Sequence, residues 1–143
     1  NLADYLAGWD CTEEAYINQN LYIPIGFVAL GISIVIMVIY YYIIGNLPIG
    51  SKLNKWWHWV LVLLFVAGIN LFIGYGWTLN EMPNIGDCLM YVKDDKGNII
   101  NTLITNVNCW MFGLANSFVS SIFFIVVTFI GKWGSTNCRR TPF

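Results

Sequence analysis

The chain has 143 residues, of which 57% are hydrophobic and only 10% are charged. A soluble domain averages about a quarter charged residues, so this composition excludes an ordinary water-facing surface. The net charge of −1, with no basic stripe along the chain, argues against nucleic acid as a partner. We therefore predict a single integral membrane domain whose first partner is the lipid bilayer.

Residues 1–21 form a polar, acidic leader before the first apolar stretch. Four of its apolar residues recur with the spacing of one helical face: Leu2, Tyr5, Leu6 and Trp9. This spacing predicts a short amphipathic helix, and Thr12 followed by two glutamates predicts a second helix start. The amphipathic face suits contact with a membrane surface or a partner, or packing on the protein's own transmembrane helices. We favour packing on the protein's own helices.

Three long apolar segments are each predicted to cross the membrane as a helix. They cover residues 22–45, 56–78 and 110–131, and none of them contains Asp, Glu, Lys or Arg. A helix of this length spans roughly 30 Å, which is the thickness of the hydrocarbon core of a bilayer. The predicted fold class is an all-α membrane protein with three transmembrane helices.

Small and polar residues within the second and third segments predict helix–helix contacts. They are Asn70, Gly113, Asn116, Ser117, Ser120 and Ser121. Small residues let two helices approach closely, and an amide in hydrocarbon seeks a hydrogen-bond partner on a neighbouring helix. The alternative is that these positions line a water-filled path. We favour packing, because no ionisable residue accompanies them.

Residues 79–109 are the only sizeable polar segment that follows the leader and precedes the third span. Two β-prone stretches, residues 89–92 and 99–104, flank a turn-forming sequence and predict a small β-hairpin. Because Cys88 and Cys109 bracket this hairpin, we predict a disulfide between them that closes its base. An isolated hairpin is marginal in water, so it needs that disulfide, a neighbouring copy or a partner.

The charged residues are strongly sorted along the chain. All eight acidic residues lie in residues 1–21 or 79–109, whereas five of the seven basic residues lie in 45–58 or in the tail, 132–143. Because basic loops stay in the cytoplasm, the N-terminus and hairpin are predicted to be extracytoplasmic and the tail cytoplasmic, in a plasma or bacterial inner membrane. Since the sequence starts at Asn1 and not at Met, we expect a cleaved signal peptide or a longer product.

The sequence offers little catalytic chemistry. The spans carry no charge, the sole imidazole is His58 at a membrane edge, and no phosphate-binding loop or zinc motif occurs. We therefore predict no enzymatic activity, no cofactor and no metal.

The function that remains is that of a non-enzymatic membrane subunit. It would anchor or assemble a larger complex, formed of its own copies or with other membrane or envelope proteins, such as a secretion or injection machine. The alternative function is a pore-forming or holin-like channel, in which Asn70 and the polar residues of the third span line water.

Overall fold

The computed structural model describes residues 2–11, 13–44 and 55–131. Its elements in chain order are α1 (Leu2–Leu6), β1 (Trp9–Asp10), β2 (Ala15–Tyr16), α2 (Tyr22–Val38), α3 (Trp56–Glu81), α4 (Asp87–Met90), β3 (Tyr91–Lys93), β4 (Ile99–Thr102) and α5 (Asn106–Gly131). A π-helical turn, Ile39–Ile43, continues α2, and a 3-10 turn, Met82–Asn84, follows α3. Three of these helices are long and apolar enough to cross a membrane, which confirms that part of the predicted fold class.

The helix α5 holds the three long helices together. It packs along most of α3 and also along α2, whereas α2 and α3 contact each other only sparsely. Trp59 of α3 meets Phe124 near the end of α5, and Tyr75 stacks on Trp110 near its start. These contacts show that α3 and α5 run antiparallel.

The outward faces of the long helices are apolar and exposed. Leu64, Phe118 and Ile130 are 61%, 67% and 75% exposed, and many other large apolar side chains share this surface. A protein dissolved in water rarely exposes contiguous apolar area on this scale. By length and composition, the three helices therefore suit insertion into a membrane.

An aromatic cluster fills the core at the end of the bundle where α3 begins. Tyr40, Tyr41, Trp59 and Phe124 are its buried aromatic members. The rings of Tyr40 and Tyr41 meet edge to face with their centroids 5.0 Å apart. The wider π-helical turn lets both of these consecutive residues point into the core, where they are 7% and 0% exposed.

The opposite end of the bundle is closed by a cap, which we define as residues 2–11, 13–21 and 82–90. Its core contains Leu2 and Leu6 of α1, together with Ile85 and Leu89, packed against Ile25 at the start of α2. The amphipathic face of the leader therefore packs on the protein itself.

The structure corrects the second helix start predicted in the leader. Glu13 and Glu14 lie in the turn between β1 and β2, and Glu14 adopts a positive φ of 49°. Thr12 itself lies outside the described residues. Gly8, two residues after the end of α1, adopts a φ of 96°, and a Cβ there would collide with the backbone of Asn18, so the position requires glycine.

The predicted β-hairpin is present as β3 and β4, which pair antiparallel. Tyr91 pairs with Thr102, and a bulge interrupts the register between Val92 and Lys93. Gly97 adopts a φ of 81° in the connecting turn, a conformation that favours glycine. The hairpin follows directly from α4 and precedes α5, so it leaves the bundle on the same side as the cap.

Candidate functional site

Cys88 is bonded to Cys11 and not to Cys109, so the predicted disulfide is wrong. The Cα atoms of Cys11 and Cys88 lie 5.9 Å apart, and the bond ties the leader to α4. Cys109 is a free, fully buried thiol. The physical reason is that α5 begins at Asn106, one turn before the predicted start of the third span, which places Cys109 inside the helix and not at the base of the hairpin.

The early start of α5 has a signal in the sequence. The hydroxyl and the backbone N–H of Thr105 both donate to Oδ1 of Asn108, at 2.9 and 3.1 Å. A Thr with a polar side chain three residues later is the pattern of a capped helix start. Read in this way, the sequence places Cys109 within the first turns of α5.

Asn70 of α3 and Asn116 of α5, which were predicted to make helix contacts, meet in the bundle, but their side chains make different hydrogen bonds. Nδ2 of Asn116 donates to the backbone oxygen of Asn70 at 2.9 Å, which links α5 to α3. The side chain of Asn70 instead donates to Val66 in its own helix at 3.0 Å. Its Oδ1 is buried and accepts no hydrogen bond from any described residue.

The helices α3 and α5 approach each other closely at Gly74 and Gly113. A Cβ on Gly113 would stand 2.8 Å from the backbone oxygen of Leu71, and one on Gly74 would stand 3.2 Å from Cα of Gly113. Gly113 was predicted as a helix-contact residue, whereas Gly74 was not. Its signal is the four-residue spacing of Asn70, Gly74 and Thr78, all of which are buried on one face of α3.

Two of the three serines of α5 donate hydrogen bonds within their own helix. The hydroxyls of Ser120 and Ser121 donate to the backbone oxygen of Ser117 at 2.9 and 2.7 Å. Ser33 of α2 bonds Ala29 in the same way at 2.9 Å. Because each of these hydroxyls already has an acceptor, none of them needs a water or a neighbouring helix to satisfy its donor.

Asn116→Leu should weaken the association of α3 with α5 by about 0.6 kcal/mol, and by at most about 1.7 kcal/mol, which are the mean and the maximum measured for hydrogen bonds between membrane helices. Asn70→Leu is the matched control, because it keeps the backbone oxygen that accepts the bond and removes a buried, unpaired Oδ1. Unfolding of both variants by an anionic detergent in micelles measures the difference. A larger loss for Asn70→Leu than for Asn116→Leu would contradict this assignment.

A second polar contact fixes the cap to the end of α3. The Tyr5 hydroxyl donates to Oε2 of Glu81 at 3.1 Å, and Nδ2 of Asn84 donates to the same oxygen at 3.1 Å. Burial, the hydrogen bond to Glu81 and the charge of Glu81 together raise the pKa of Tyr5 to about 12. Tyr5 therefore remains a protonated donor at physiological pH.

The hairpin carries exposed apolar side chains outside the three long helices. We call Val92, Ile99, Ile100 and Leu103 the hairpin surface, and these residues are 39%, 57%, 67% and 41% exposed. The strand β4 contains no charge and no proline, and β3 is its only strand neighbour in the described parts of the chain. Proteins usually protect such an edge with charges or prolines, so this edge is free to pair with another strand.

Ionisable side chains in the described ranges offer no candidate metal site. No three His, Cys, Asp or Glu residues among them come together as a possible metal site. His58 stacks on Trp57 with ring centroids 3.6 Å apart. An ion pair joins Lys93 to Asp87 at 2.6 Å, and because both side chains are well exposed it adds little stability.

The described structure is that of a small bundle of apolar helices with a disulfide-bonded cap and a projecting hairpin. Comparisons of the chain with protein-family models, with curated proteins and with solved structures found no match. Its function must therefore be argued from its own surfaces.

Proposed function

We propose that this protein is a non-enzymatic membrane subunit that anchors and assembles a larger complex through its hairpin. The observation that carries the proposal is the hairpin surface, where Ile99 and Ile100 are more than half exposed although they lie outside the long helices. Exposed apolar side chains concentrated in one short hairpin favour a contact with another protein. The free edge of β4 offers backbone hydrogen bonds to the same partner.

The orientation we propose has the cap and hairpin outside the cytoplasm and the C-terminal tail within it. The sorting of acidic and basic residues along the chain supports this orientation. The disulfide between Cys11 and Cys88 supports it independently, because such bonds persist in oxidising compartments. The partner of the hairpin is then a second copy of this chain or another envelope protein, as in a secretion or injection machine.

A pore has less support than an assembly role. Asn70 and Ser120 are fully buried, and the hydroxyls of Ser120 and Ser121 donate hydrogen bonds within their own helix. A pore formed between copies would need polar faces turned outward, whereas the exposed faces of the long helices are dominated by large apolar side chains. We therefore expect expression of the protein to cause no leakage of ions across the membrane.

Replacing both Ile99 and Ile100 by Lys should break the complex. Two ammonium groups in place of exposed apolar side chains remove the apolar contact and protect the edge of β4. The particle mass in mild detergent, with identification of co-purifying proteins, is the measurement. Asp95→Lys is the matched control, because it changes charge in the turn of the same hairpin without touching either strand.

The outcomes of this experiment are distinct. The wild-type protein and Asp95→Lys should run as an assembly larger than one chain, and the double variant should run as a monomer. A wild-type protein that is monomeric and carries no other protein would end the proposal. So would a double variant that retains the full assembly.

A further inference from the structure

A cleft in the cap leads to the disulfide that joins Cys11 to Cys88. Its volume is about 190 Å³, and Trp9, Asn18 and Asn84 form part of its walls. The cleft contacts Cys11 but not Cys88, and Cys11 is partly exposed. A thiol that enters the cleft therefore meets the disulfide on its Cys11 side.

Gly86 lies against the sulfur of Cys11 and lines the same cleft. A Cβ on Gly86 would stand 2.7 Å from Sγ of Cys11, so any larger residue would have to displace the sulfur or cover it. Because a thiolate attacks a disulfide sulfur directly, the rate of exchange depends on access to that sulfur. Cys88 is also exposed, but only attack at Cys11 gives the incoming thiol the walls of a cleft to bind.

The charge of the cap selects the kind of thiol. The cap contains no Lys, Arg or His, and its acidic residues are Asp4, Asp10, Glu13, Glu14 and Asp87. Lys93, just outside the cap, pairs with Asp87, so the cap is acidic even when this pair is set aside. Asp10 lines the cleft directly beside Cys11. A field of this sign repels an anionic thiol and attracts a cationic one.

We propose that the Cys11–Cys88 disulfide is a site of thiol–disulfide exchange with a thiol carried on a positively charged segment of another protein. The incoming thiolate forms a bond with Sγ of Cys11 while the bond to Cys88 breaks. The electron pair of the broken bond leaves on Sγ of Cys88, which takes up a proton from water. The number of disulfides does not change in this step, so it needs no further oxidant or reductant.

The product of the exchange is a mixed disulfide on Cys11 and a free thiol on Cys88. The leader is then no longer tied covalently to α4. This site is separate from the hairpin surface and does not depend on the function proposed above.

The test compares three small thiols that differ in charge: cationic cysteamine, neutral mercaptoethanol and anionic mercaptoethanesulfonate. The full chain in a non-ionic detergent is treated with each thiol at a low molar ratio. Free thiols are then blocked with N-ethylmaleimide, and peptide mapping by mass spectrometry locates the adduct. Each rate is divided by the rate at which the same thiol attacks a small neutral disulfide, which removes differences in intrinsic reactivity.

The wild-type protein should carry the thiol adduct on Cys11 and the maleimide on Cys88. After this correction, cysteamine should react about fivefold faster than the sulfonate, because the acidic cap attracts the first and repels the second. Mercaptoethanol should react at an intermediate rate.

Asn18→Trp should abolish the adduct on Cys11, because Asn18 lines the cleft and the larger ring fills it. Gln19→Trp is the matched control, since Gln19 is the next residue, is also exposed and does not line the cleft. Helical circular dichroism and an intact disulfide before treatment establish that each variant folds. Asn84→Trp, on another wall of the cleft, replaces Asn18→Trp if the latter does not fold.

Asp10→Asn tests the charge separately. The loss of one carboxylate from the cleft should lower the preference for cysteamine over the sulfonate about twofold. Asp95→Asn is the matched control, because it removes an exposed carboxylate from the hairpin turn, outside the cap, and should leave the preference unchanged.

Four results would overturn the proposal. They are a folded wild-type protein that forms no adduct, an adduct on Cys88 in place of Cys11, equal corrected rates for the cationic and anionic thiols, and a folded cleft-filling variant that reacts as fast as Gln19→Trp. None of these results depends on whether the protein assembles with a partner, so the test stands apart from that of the hairpin surface.

Discussion

Cys11→Ser should lower the free energy of unfolding by up to about 4 kcal/mol. The Cys11–Cys88 disulfide joins residues 77 positions apart, and a loop of that size constrains the unfolded chain strongly. The figure is an upper bound, because the helices stay in the membrane when the cap opens. They therefore restrict the unfolded chain even without the disulfide. Thermal unfolding in detergent, with and without a reductant, measures the loss.

Cys109→Ala is the matched control for the disulfide, because it removes a buried thiol that takes no part in the bond. This variant should lose less stability than Cys11→Ser and should still respond to the reductant, as the wild-type protein does. Peptide mapping under non-reducing conditions should find Cys11 linked to Cys88. A link from Cys88 to Cys109 would refute the pairing.

Gly113→Ala should destabilise the contact between α3 and α5 by about 1–3 kcal/mol, the usual cost of overpacking. The new methyl group would lie 2.8 Å from the backbone oxygen of Leu71, and a backbone atom cannot move aside as a flexible side chain can. The two helices would have to separate, which would also stretch the bond from Asn116 to Asn70.

Gly76→Ala is the control for this prediction. A Cβ on Gly76 meets no described atom within 4 Å, so we expect this variant to unfold like the wild-type protein. Unfolding by an anionic detergent, followed by helical circular dichroism, compares the two variants. Equal stability of Gly113→Ala and Gly76→Ala would show that α3 and α5 do not touch at Gly113.

The three long helices and the hairpin could be predicted because their signals are local. An apolar segment long enough to cross a bilayer can be recognised by counting residues, and the hairpin by two β-prone stretches around a turn. The apolar face of α1 that carries Leu2 and Leu6 could be predicted for the same reason, because the spacing of its apolar residues repeats within one helix.

The disulfide could not be predicted from spacing, because three cysteines on the same side allow three pairings. Cys88 and Cys109 are close in sequence, but the distance that matters depends on how the leader folds back onto α4. The contact of Gly74 with Gly113 was hidden for a related reason. A small residue is visible in the sequence, whereas the rotation that turns it toward a particular neighbour is a property of the packed helices.

The bond between Cys11 and Cys88 closes the chain into a covalent ring that contains both α2 and α3. These are also the two long helices that touch each other least. The ring therefore adds a covalent link between α2 and α3 to the packing of each of them on α5, and α5 is the one long helix of the described residues that lies outside the closed loop. A protease cut anywhere between α2 and α3 would leave the two helices joined until the disulfide is reduced.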